Sequence, residues 1–422
     1  MATTVTQNLN TFGYSPVLAF IRRTPTRAAA AARHPAQSLE HLLPNFTVQP
    51  DSQLAQLSVF AADAEAAPSG QLPAGAPAQA RVYPNLGIIY GTVDRDGWSA
   101  LRSAPDVAKV TAAAQPSLIR PVASASARLR TRTTWGIRSL GAAELWAAGL
   151  TGTGVKIGHL DTGVDADHPA LQGAIAAYAE FDLGGMQVPG ALPRDSDRSD
   201  GHGTHTAATI AGRAVGRRHV GVAPGAALYA AMVIEGGDII ARILGGMEWL
   251  VVQGVRVLSL SLGIRGYVED FLGITDVLRD TGIVPVVAVG NEGPGTSRSP
   301  GNYPRVVSVG YYTDRTIVAV DSSSQRFPRR SQPLVPDLVA PGENVISAAP
   351  GCGWRSMSGS SMAVPHVTGL AALLLEAHPD ATVTQLERAI QASAQLGTLP
   401  RDRANRGVVN AGRALAVLDQ AR

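Results

Sequence analysis

Four polar residues have the types and the order of a nucleophilic hydrolytic site. Asp161 precedes His202 by 41 residues, Ser361 follows His202 after 159 more, and Asn291 lies between these two. A serine hydroxyl is a weak nucleophile that needs a neighbouring base, which a histidine titrating near neutral pH can supply. A buried aspartate can hold the imidazole in the required tautomer, and an asparagine amide can donate to a developing oxyanion. The set predicts acyl transfer to a serine.

Single members of this set have structural alternatives. His202 and His205 occur in SDGHGTHTAATIAG (199–212) with a spacing that can bind a metal ion, but the glutamate of an HExxH zinc site is absent. Ser361 on its own is typical of a helix N-cap, and Asp161 on its own of a cap aspartate. The chemistry therefore depends on the elements that bring these residues together.

The elements predicted around these residues form a parallel sheet. Helical patterns at 238–254 and 271–282 separate short apolar strands. These strands are predicted at 155–160, 227–234, 255–262, 283–290 and 305–312. Strands that are apolar on both faces indicate a parallel sheet covered on both sides, in which ligands gather at the carboxyl ends of the strands. Asp161 and Asn291 follow two of these strands directly.

Two further helices are predicted near the C-terminal end. Residues 362–379 are apolar nearly all round, which indicates a buried helix, and Ser361 lies at its start. Residues 382–392 have a helical pattern in which Thr384 and Glu387 form a candidate capping box. The unpaired N–H groups at the start of the first helix would face a developing oxyanion.

The N-terminal region has a different organisation. Strands predicted at 17–22, 85–93 and 106–113 alternate with helices at 36–43 and 97–105, and a stretch rich in Ala, Pro and Gln interrupts them over 27–80. The sequence therefore predicts a small α+β domain over 1–121 and a large domain over 135–422. Between them, residues 122–134 are small, polar and basic, as in an exposed connector that proteases cut.

Composition excludes several other functions. The chain has 422 residues, is 45% hydrophobic and carries a net charge of only +3, and two of its 36 basic residues are lysines. No basic stripe with interleaved aromatic residues is present, so we expect no nucleic-acid partner. The single cysteine excludes an intrachain disulfide.

The sequence also gives an expectation about membranes and location. No apolar run reaches the roughly 18 residues of a membrane span, so we expect no membrane partner. The N-terminus lacks a basic segment, and its apolar core at 17–21 is too short for a signal peptide. We therefore expect a cytoplasmic location or export by a route other than the Sec pathway.

Three motifs carry a resemblance to a known family. Asp161-Thr-Gly, His202-Gly-Thr-His and Gly359-Ser-Ser361-Met-Ala-Val-Pro-His closely resemble, in this order, the active-site motifs of subtilisin-like serine proteases. AVGNEG resembles the family's oxyanion asparagine motif, which implicates Asn291. SLSLG resembles its substrate-pairing strand, which implicates Ser261, Leu262 and Gly263. The resemblance extends from about residue 135 to residue 410.

This resemblance implies a fold and an activity. The implied fold is α/β, with three layers and a mainly parallel seven-stranded sheet, preceded by a small α+β domain. The implied activity is that of a serine endopeptidase that hydrolyses protein or peptide substrates through an acyl-enzyme, with Asp161, His202 and Ser361 as its triad. The alternative is a catalytically silent relative that acts as a binding module.

The N-terminal region resembles the family's propeptide. GIIYGTVDRDGWSALRSAPDVAKVTAA carries the likeness, as a strand, a helix and a second strand that leads to the connector. The resemblance implies a zymogen whose own N-terminal domain is an intramolecular inhibitor. The basic stretch ASARLRTR (125–132) is then the expected place of cleavage.

Two departures from the family pattern concern metal binding and specificity. The loop 212–224 offers Arg213, Arg217, Arg218 and His219 where many relatives have a calcium loop, and calcium prefers oxygen ligands. We therefore expect no calcium at that position, and a weaker cation site elsewhere stays open. No motif indicates another metal site or a cofactor, and we expect neither. Arg298 aligns with a floor position of the specificity pocket that is often glycine, where a guanidinium would reduce depth and favour acidic residues. The alternative is that Arg298 points to solvent and has no part in specificity.

Overall fold

The computed structural model describes residues 4–22, 40–46, 80–234, 236–328 and 330–421. Short 3₁₀ helices lie at Glu40–Asn45 and Glu269–Phe271. The α-helices are α1 (Val5–Phe12), α2 (Arg95–Ser103), α3 (Trp135–Leu140), α4 (Ala142–Ala147), α5 (His202–Ala211), α6 (Ile239–Gln253), α7 (Leu272–Asp280), α8 (Ser360–Ala377), α9 (Val383–Ser393), α10 (Arg401–Ala404) and α11 (Ala411–Asp419). Most of the alanine- and proline-rich stretch at 27–80 lies outside the described residues.

The N-terminal strands form a sheet of their own. They are β1 (Ser15–Ile21), β2 (Arg81–Tyr83), β3 (Ile88–Val93) and β4 (Val107–Ala112). They pair antiparallel in the order β2-β3-β1-β4, and α2 packs on β4. The three predicted strands and the helix predicted at 97–105 are confirmed, whereas α1 and β2 were not predicted. Of the helix predicted at 36–43, residues 36–39 lie outside the described residues and the remainder is 3₁₀.

The remaining strands build the large domain and connect it to the N-terminal segment. They are β5 (Ser117–Leu118), β6 (Ala123–Ser126), β7 (Lys156–Asp161), β8 (Ile175–Glu180), β9 (Ala227–Met232), β10 (Val257–Leu260), β11 (Leu262–Arg265), β12 (Val284–Ala288), β13 (Arg298–Ser299), β14 (Val307–Tyr312), β15 (Gln325–Arg326), β16 (Leu334–Val335), β17 (Leu338–Pro341), β18 (Val345–Ala349) and β19 (Gly353–Ser358).

A seven-stranded sheet forms the middle layer of the large domain. Its strand order is β17-β14-β12-β10-β7-β9-β8, and every neighbouring pair is parallel. Alternate residues of one strand enter different cores: Val257 packs in the core that contains α5 and α8, whereas Leu258 packs in the core that contains α6 and α7. The predicted three-layer α/β fold is confirmed, because helices cover both faces of the sheet.

The helix that begins beside Ser361 lies in the centre of one of these cores. By length and composition α8 could cross a membrane, but 89% of it is buried inside the protein, as expected of a core helix. It packs against α5 and against β10, β12, β14 and β17. The starts of α5 and α8 thereby share one side of the sheet.

One predicted helix cap is wrong. Thr382 rather than Thr384 caps α9: its hydroxyl accepts from the N–H of Gln385, and Gln385 Oε1 accepts from the N–H of Thr382 at 2.9 Å. Thr382 is extended (φ −71°, ψ 159°), as an N-cap requires. A Ser/Thr-x-x-Glu/Gln pattern occurs twice here, two residues apart, and the preceding backbone selects the first.

Two short strands, one just before the connector and one within it, were also not predicted. β5 pairs antiparallel with β11, and β6 pairs antiparallel with β19. The four residues of β6 are exposed, as predicted for the connector. Small polar side chains give no apolar alternation, so this pairing depends on backbone hydrogen bonds that sequence periodicity does not reveal.

Candidate active site

Asp161 ends β7 at the carboxyl edge of the central sheet. Its side chain is buried, and Oδ1 accepts from the N–H of Thr162 and from Nδ1 of His202, both at 2.7 Å. Burial by itself would raise the pKa of this carboxyl group, but the facing His202 and the hydrogen bonds keep the pKa below its ordinary value. Asp161 is therefore a carboxylate directed at one imidazole nitrogen.

His202 is the first residue of α5, and two glycines make this entry possible. Gly201 is left-handed (φ 68°) and a Cβ there would lie 2.1 Å from Pro350 Cδ. A Cβ on Gly203 would lie 2.0 Å from the carbonyl oxygen of Gly163. Any larger residue at either position would move the helix start away from Asp161.

Two carboxylates fix the start of α5. The N–H of His202 donates to Asp197 Oδ2 at 3.2 Å, and the N–H of Thr204 donates to Asp195 Oδ2 at 2.8 Å. These bonds satisfy N–H groups that a helix start leaves without an intrahelical partner. The position of the His202 ring therefore depends on side chains that the sequence motif does not contain.

The His202 imidazole is prepared to accept a proton. Burial would lower its pKa, but the charge and hydrogen bond of Asp161, with further contributions from Asp197 and Asp195, raise the pKa above its ordinary value. Because Nδ1 faces Asp161, Nε2 is the nitrogen left for a reactant. Nε2 is buried and has no hydrogen-bond partner among the described residues.

Ser361 and Asn291 meet at the start of α8. Asn291 Oδ1 accepts from the backbone N–H of Ser360 at 2.8 Å and from its hydroxyl at 2.9 Å. This orients the Asn291 amide so that Nδ2 points away from the helix, where it donates to the carbonyl oxygen of Arg120 at 2.9 Å. Ser361 is fully buried, and its hydroxyl donates to the carbonyl oxygen of Ile119 at 2.7 Å.

The chain's own segment 117–120 thus lies in the cleft. Leu118 is paired with Leu262 and Ser117 with Gly263 in an antiparallel ladder, and the N–H of Ile119 donates to the carbonyl oxygen of Ser261 at 2.9 Å. Ser261, Leu262 and Gly263 therefore already bind an extended peptide. The serine hydroxyl is directed at this peptide and not at His202 Nε2.

Arg298 faces the cleft and not the solvent. Its guanidinium is buried, its Nε donates to Glu292 Oε1 at 2.7 Å, and its Nη1 donates to the hydroxyl of Ser117 at 3.1 Å. Burial would raise the pKa of Glu292, but the hydrogen bonds and charge of Arg298 keep it low. The sequence predicts a guanidinium with a fixed positive charge here, and the structure adds that Glu292 pairs with it. The expected preference for acidic residues stays a prediction.

A metal site at the two histidines of α5 is not supported. Nδ1 of His202 is bonded to Asp161, and Nε2 of His205 lies 2.9 Å from the carbonyl oxygen of Val345. Across the part of the chain that the structure describes, no group of three or more His, Cys, Asp or Glu side chains could hold a metal ion. The expectation about calcium stays a prediction.

The geometry can be compared with known proteins at this point. Residues 152–412 match the sequence profile of the subtilase family. This chain belongs to the subtilase family. The matched region contains β7, α5, β11, β12 and the start of α8, and hence every candidate site residue.

This subtilase is similar to several subtilisins. It is 35% identical to subtilisin E of Bacillus subtilis (strain 168) over 266 residues, which are 62% of this chain and 65% of that protein. It is 35% identical to a subtilisin of Bacillus pumilus and 36% identical to subtilisin Savinase of Lederbergia lenta, covering 90% of each and 62% of this chain. The chain thus spans slightly less than two thirds of subtilisin E and most of the two shorter relatives.

Sequence motifs miss some residues that shape this subtilase site. Asp195 and Asp197 fix the helix start, and Thr206 and His159 lie on the far side of Asp161. For His159 the sequence holds one signal, a histidine within the apolar strand KIGHLD. The segment 117–120 gives no signal, because its role depends only on where the chain passes.

Proposed function

We propose that this subtilase is a serine endopeptidase with Asp161, His202 and Ser361 as its triad and Asn291 in its oxyanion hole. The observation that carries the proposal is the buried Asp161–His202 pair with Nε2 left unpartnered among the described residues, together with a Ser361 hydroxyl 2.7 Å from a peptide carbonyl. A base, a nucleophile and a bound peptide therefore share one cleft.

The chemistry follows from these positions. His202 Nε2 takes the Ser361 proton as Oγ attacks the carbonyl carbon, and the carboxylate of Asp161 stabilises the imidazolium that forms. The oxyanion accepts from Asn291 Nδ2 and from the N–H groups at the start of α8. His202 then gives its proton to the leaving amine, which leaves an acyl-enzyme. Water attacks this ester with His202 again as the base, and Ser361 is regenerated.

The substrate class follows from strand pairing. β11 presents backbone donors and acceptors to Ser117–Leu118 without requiring particular side chains. A peptide that adds as a strand gains main-chain hydrogen bonds from any sequence, and the pockets beside it select side chains. The substrates are therefore extended segments of proteins or peptides.

We infer that the N-terminal domain inhibits the enzyme intramolecularly. Glu248 on α6 accepts from the backbone N–H groups of Asn85 and Leu86 at 2.9 and 3.0 Å. Asp238, which caps α6, accepts from Tyr90 OH at 2.7 Å and from Gln115 Nε2 at 3.1 Å. These contacts hold the domain on α6 and direct the following segment into the cleft, where it excludes substrate.

The bond between Ile119 and Arg120 is the proposed site of self-cleavage. The Ser361 hydroxyl lies beside the Ile119 carbonyl, whereas Asn291 donates to the next carbonyl, that of Arg120. For attack, the Asn291 amide must transfer to the Ile119 carbonyl, so the present arrangement is an inhibited one. The sequence suggested cleavage at 125–132, of which residues 125 and 126 are paired with β19 as part of β6. Self-cleavage there would require this stretch to move into the cleft that residues 117–120 occupy.

Intact-mass analysis of the purified chain tests this proposal. We expect wild type and a Ser103→Ala control, which changes an exposed serine of α2, to give a fragment that begins at Arg120. Ser361→Ala should remain uncut and lose peptidase activity. Loss of subtilisin's nucleophile costs about 10⁶-fold in kcat, and we expect the same order here. Cleavage and full activity in Ser361→Ala would refute the proposal, whereas a fragment that begins elsewhere would correct the bond alone.

A further inference from the structure

A polar pair lies inside the core on the side of Asp161 that faces away from His202. His159 is almost wholly buried on β7, and its Nε2 lies 2.8 Å from the hydroxyl of Thr206 on α5. The same hydroxyl is 3.3 Å from Asp161 Oδ2, and His159 Nε2 is 3.8 Å from that oxygen. Two polar side chains from different elements thus converge on the carboxylate oxygen that His202 does not use.

The hydrogen-bond partners around His159 favour one tautomer of its ring. Its Nδ1 is buried and has no hydrogen-bond partner in the described part of the chain. A buried N–H without an acceptor costs more than a bare ring nitrogen in an apolar setting, so the proton belongs on Nε2. Nε2–H then donates to Thr206 Oγ1, which leaves the hydroxyl proton of Thr206 free for another acceptor.

Three oxygens surround the hydroxyl of Thr206. The carbonyl oxygens of His202 and Gly203 lie at 3.0 and 3.2 Å, in the usual place for a helical threonine, and Asp161 Oδ2 lies at 3.3 Å. Of the three, Asp161 alone carries a full charge, and hydrogen bonds to charged acceptors are about twice as strong as neutral ones. The hydroxyl proton therefore favours the carboxylate.

We propose that His159 and Thr206 are positioning residues that form a hydrogen-bond chain, His159 Nε2–H to Thr206 Oγ1 and Thr206 O–H to Asp161 Oδ2, which fixes the Asp161 carboxylate for its task at His202. The inference rests on the proposed peptidase function, since it concerns the same triad. Oδ1 receives Thr162 and His202, and Oδ2 receives the chain, so that neither carboxylate oxygen can rotate away.

A neutral His159 is consistent with this role. Burial lowers its pKa to about 4, a shift that the charge of Asp161 opposes and that of His202 reinforces. The ring is therefore uncharged at any pH at which His202 can act as a base. Burying an imidazole in an apolar strand is costly unless its N–H is bonded, and the hydroxyl of Thr206 provides that bond.

Thr206→Val tests the chain with little change of volume. We expect kcat to fall about 10- to 100-fold while KM changes less than about twofold, because the lost bond is to a charged group that acts in the transition state. Thr206→Ser keeps the hydroxyl and should recover most of the rate. Each variant is expressed as the full chain and allowed to process itself. Active-site titration of the processed enzyme then normalises each rate, and Tm is measured in parallel.

His159→Leu and the double variant test whether the two residues act as a unit. We expect His159→Leu to lower kcat to a similar extent. The kcat of the double variant should be about equal to that of the slower single variant, because the two residues act through one chain. His378→Leu removes a histidine that pairs with Asp419 far from the triad, so it should lower Tm and leave kcat unchanged.

The possible outcomes separate the two proposals. An active wild type with unchanged kcat in Thr206→Val would overturn the inference, as would losses that multiply in the double variant. Thr206→Val alone decides the matter if His159→Leu does not fold. A correctly folded wild type without peptidase activity would instead refute the proposed function.

Discussion

Nδ1 of His202 lies 2.7 Å from Oδ1 of Asp161, and both side chains are at most 2% exposed. Burial would normally favour the neutral form of each partner, but their mutual attraction lowers the pKa of the aspartate and raises that of the histidine. The pair therefore stabilises an imidazolium in a site shielded from water. This imidazolium forms when His202 takes the proton of the attacking serine.

The pH dependence of activity should report this pair. A protonated His202 cannot accept the serine proton, so activity is lost as the pH falls through the pKa of His202. Because Asp161 raises that pKa, we expect the acidic limb of kcat/KM to lie above the ordinary histidine value of about 6.5. In Asp161→Asn burial dominates, and the limb should move to lower pH while the rate falls by about 10⁴-fold. If the acidic limb of Asp161→Asn lies at the same pH as that of wild type, a group other than the Asp161–His202 pair controls it.

Asn291→Ala should lower kcat with little change in KM. Its Oδ1 is held by Ser360, so that Nδ2 is fixed before the oxyanion forms. Removal of one such donor costs about 10²–10³-fold in kcat. Steady-state kinetics on a peptide substrate measure this effect, with Gln172→Ala, which changes an exposed residue of the large domain, as the control. A normal kcat with a raised KM would assign Asn291 to ground-state binding instead.

The Arg298–Glu292 pair should control the choice of the residue before the scissile bond. Glu292→Gln leaves Arg298 unpaired, so we expect preference for Asp and Glu to rise about tenfold. Arg298→Gly opens space and should move preference toward Phe and Leu. A panel of peptides that vary at this one residue measures both shifts. Two unchanged profiles would show that the ion pair lies outside the pocket.

Arg213 should stabilise the loop at 212–224 in place of a metal ion. Its guanidinium donates to the carbonyl oxygens of Gly173, Pro224 and Ala211. We expect a calcium chelator to leave Tm nearly unchanged and Arg213→Ala to lower Tm by about 2–6 °C. Arg217→Ala, which changes an exposed arginine of the same loop, is the control. A large loss of Tm with chelator would reveal a cation site.

The sequence predicts five of the seven strands of the central sheet and misses β8 and β17. Apolar runs such as the one that ends at Asp161 are buried on both faces, and burial on both faces is what produces an unbroken apolar pattern. The helix of Ser361 is apolar all round for the same reason. Elements that position the site through buried side chains are therefore visible in the sequence.

Elements that depend on backbone pairing or on a single hydrogen bond are not visible. β6 has four exposed small residues, and β5 is defined by where Leu118 meets Leu262. Glu292 follows Asn291 in sequence, but its pairing with Arg298 depends on the fold of the loop between them. Such contacts depend on tertiary structure, so the local sequence pattern does not predict them.

Labelling with a fluorophosphonate tests the central claim most directly, because the probe reacts only with a serine that a base has activated. After self-cleavage, mass spectrometry of a digest should place one adduct per chain, on Ser361. The adduct should be absent in His202→Ala and much slower to form in Asp161→Asn. A folded, processed wild type that stays unlabelled, or that carries the adduct on another residue, would contradict the triad, and a wholly unlabelled chain would favour a binding module.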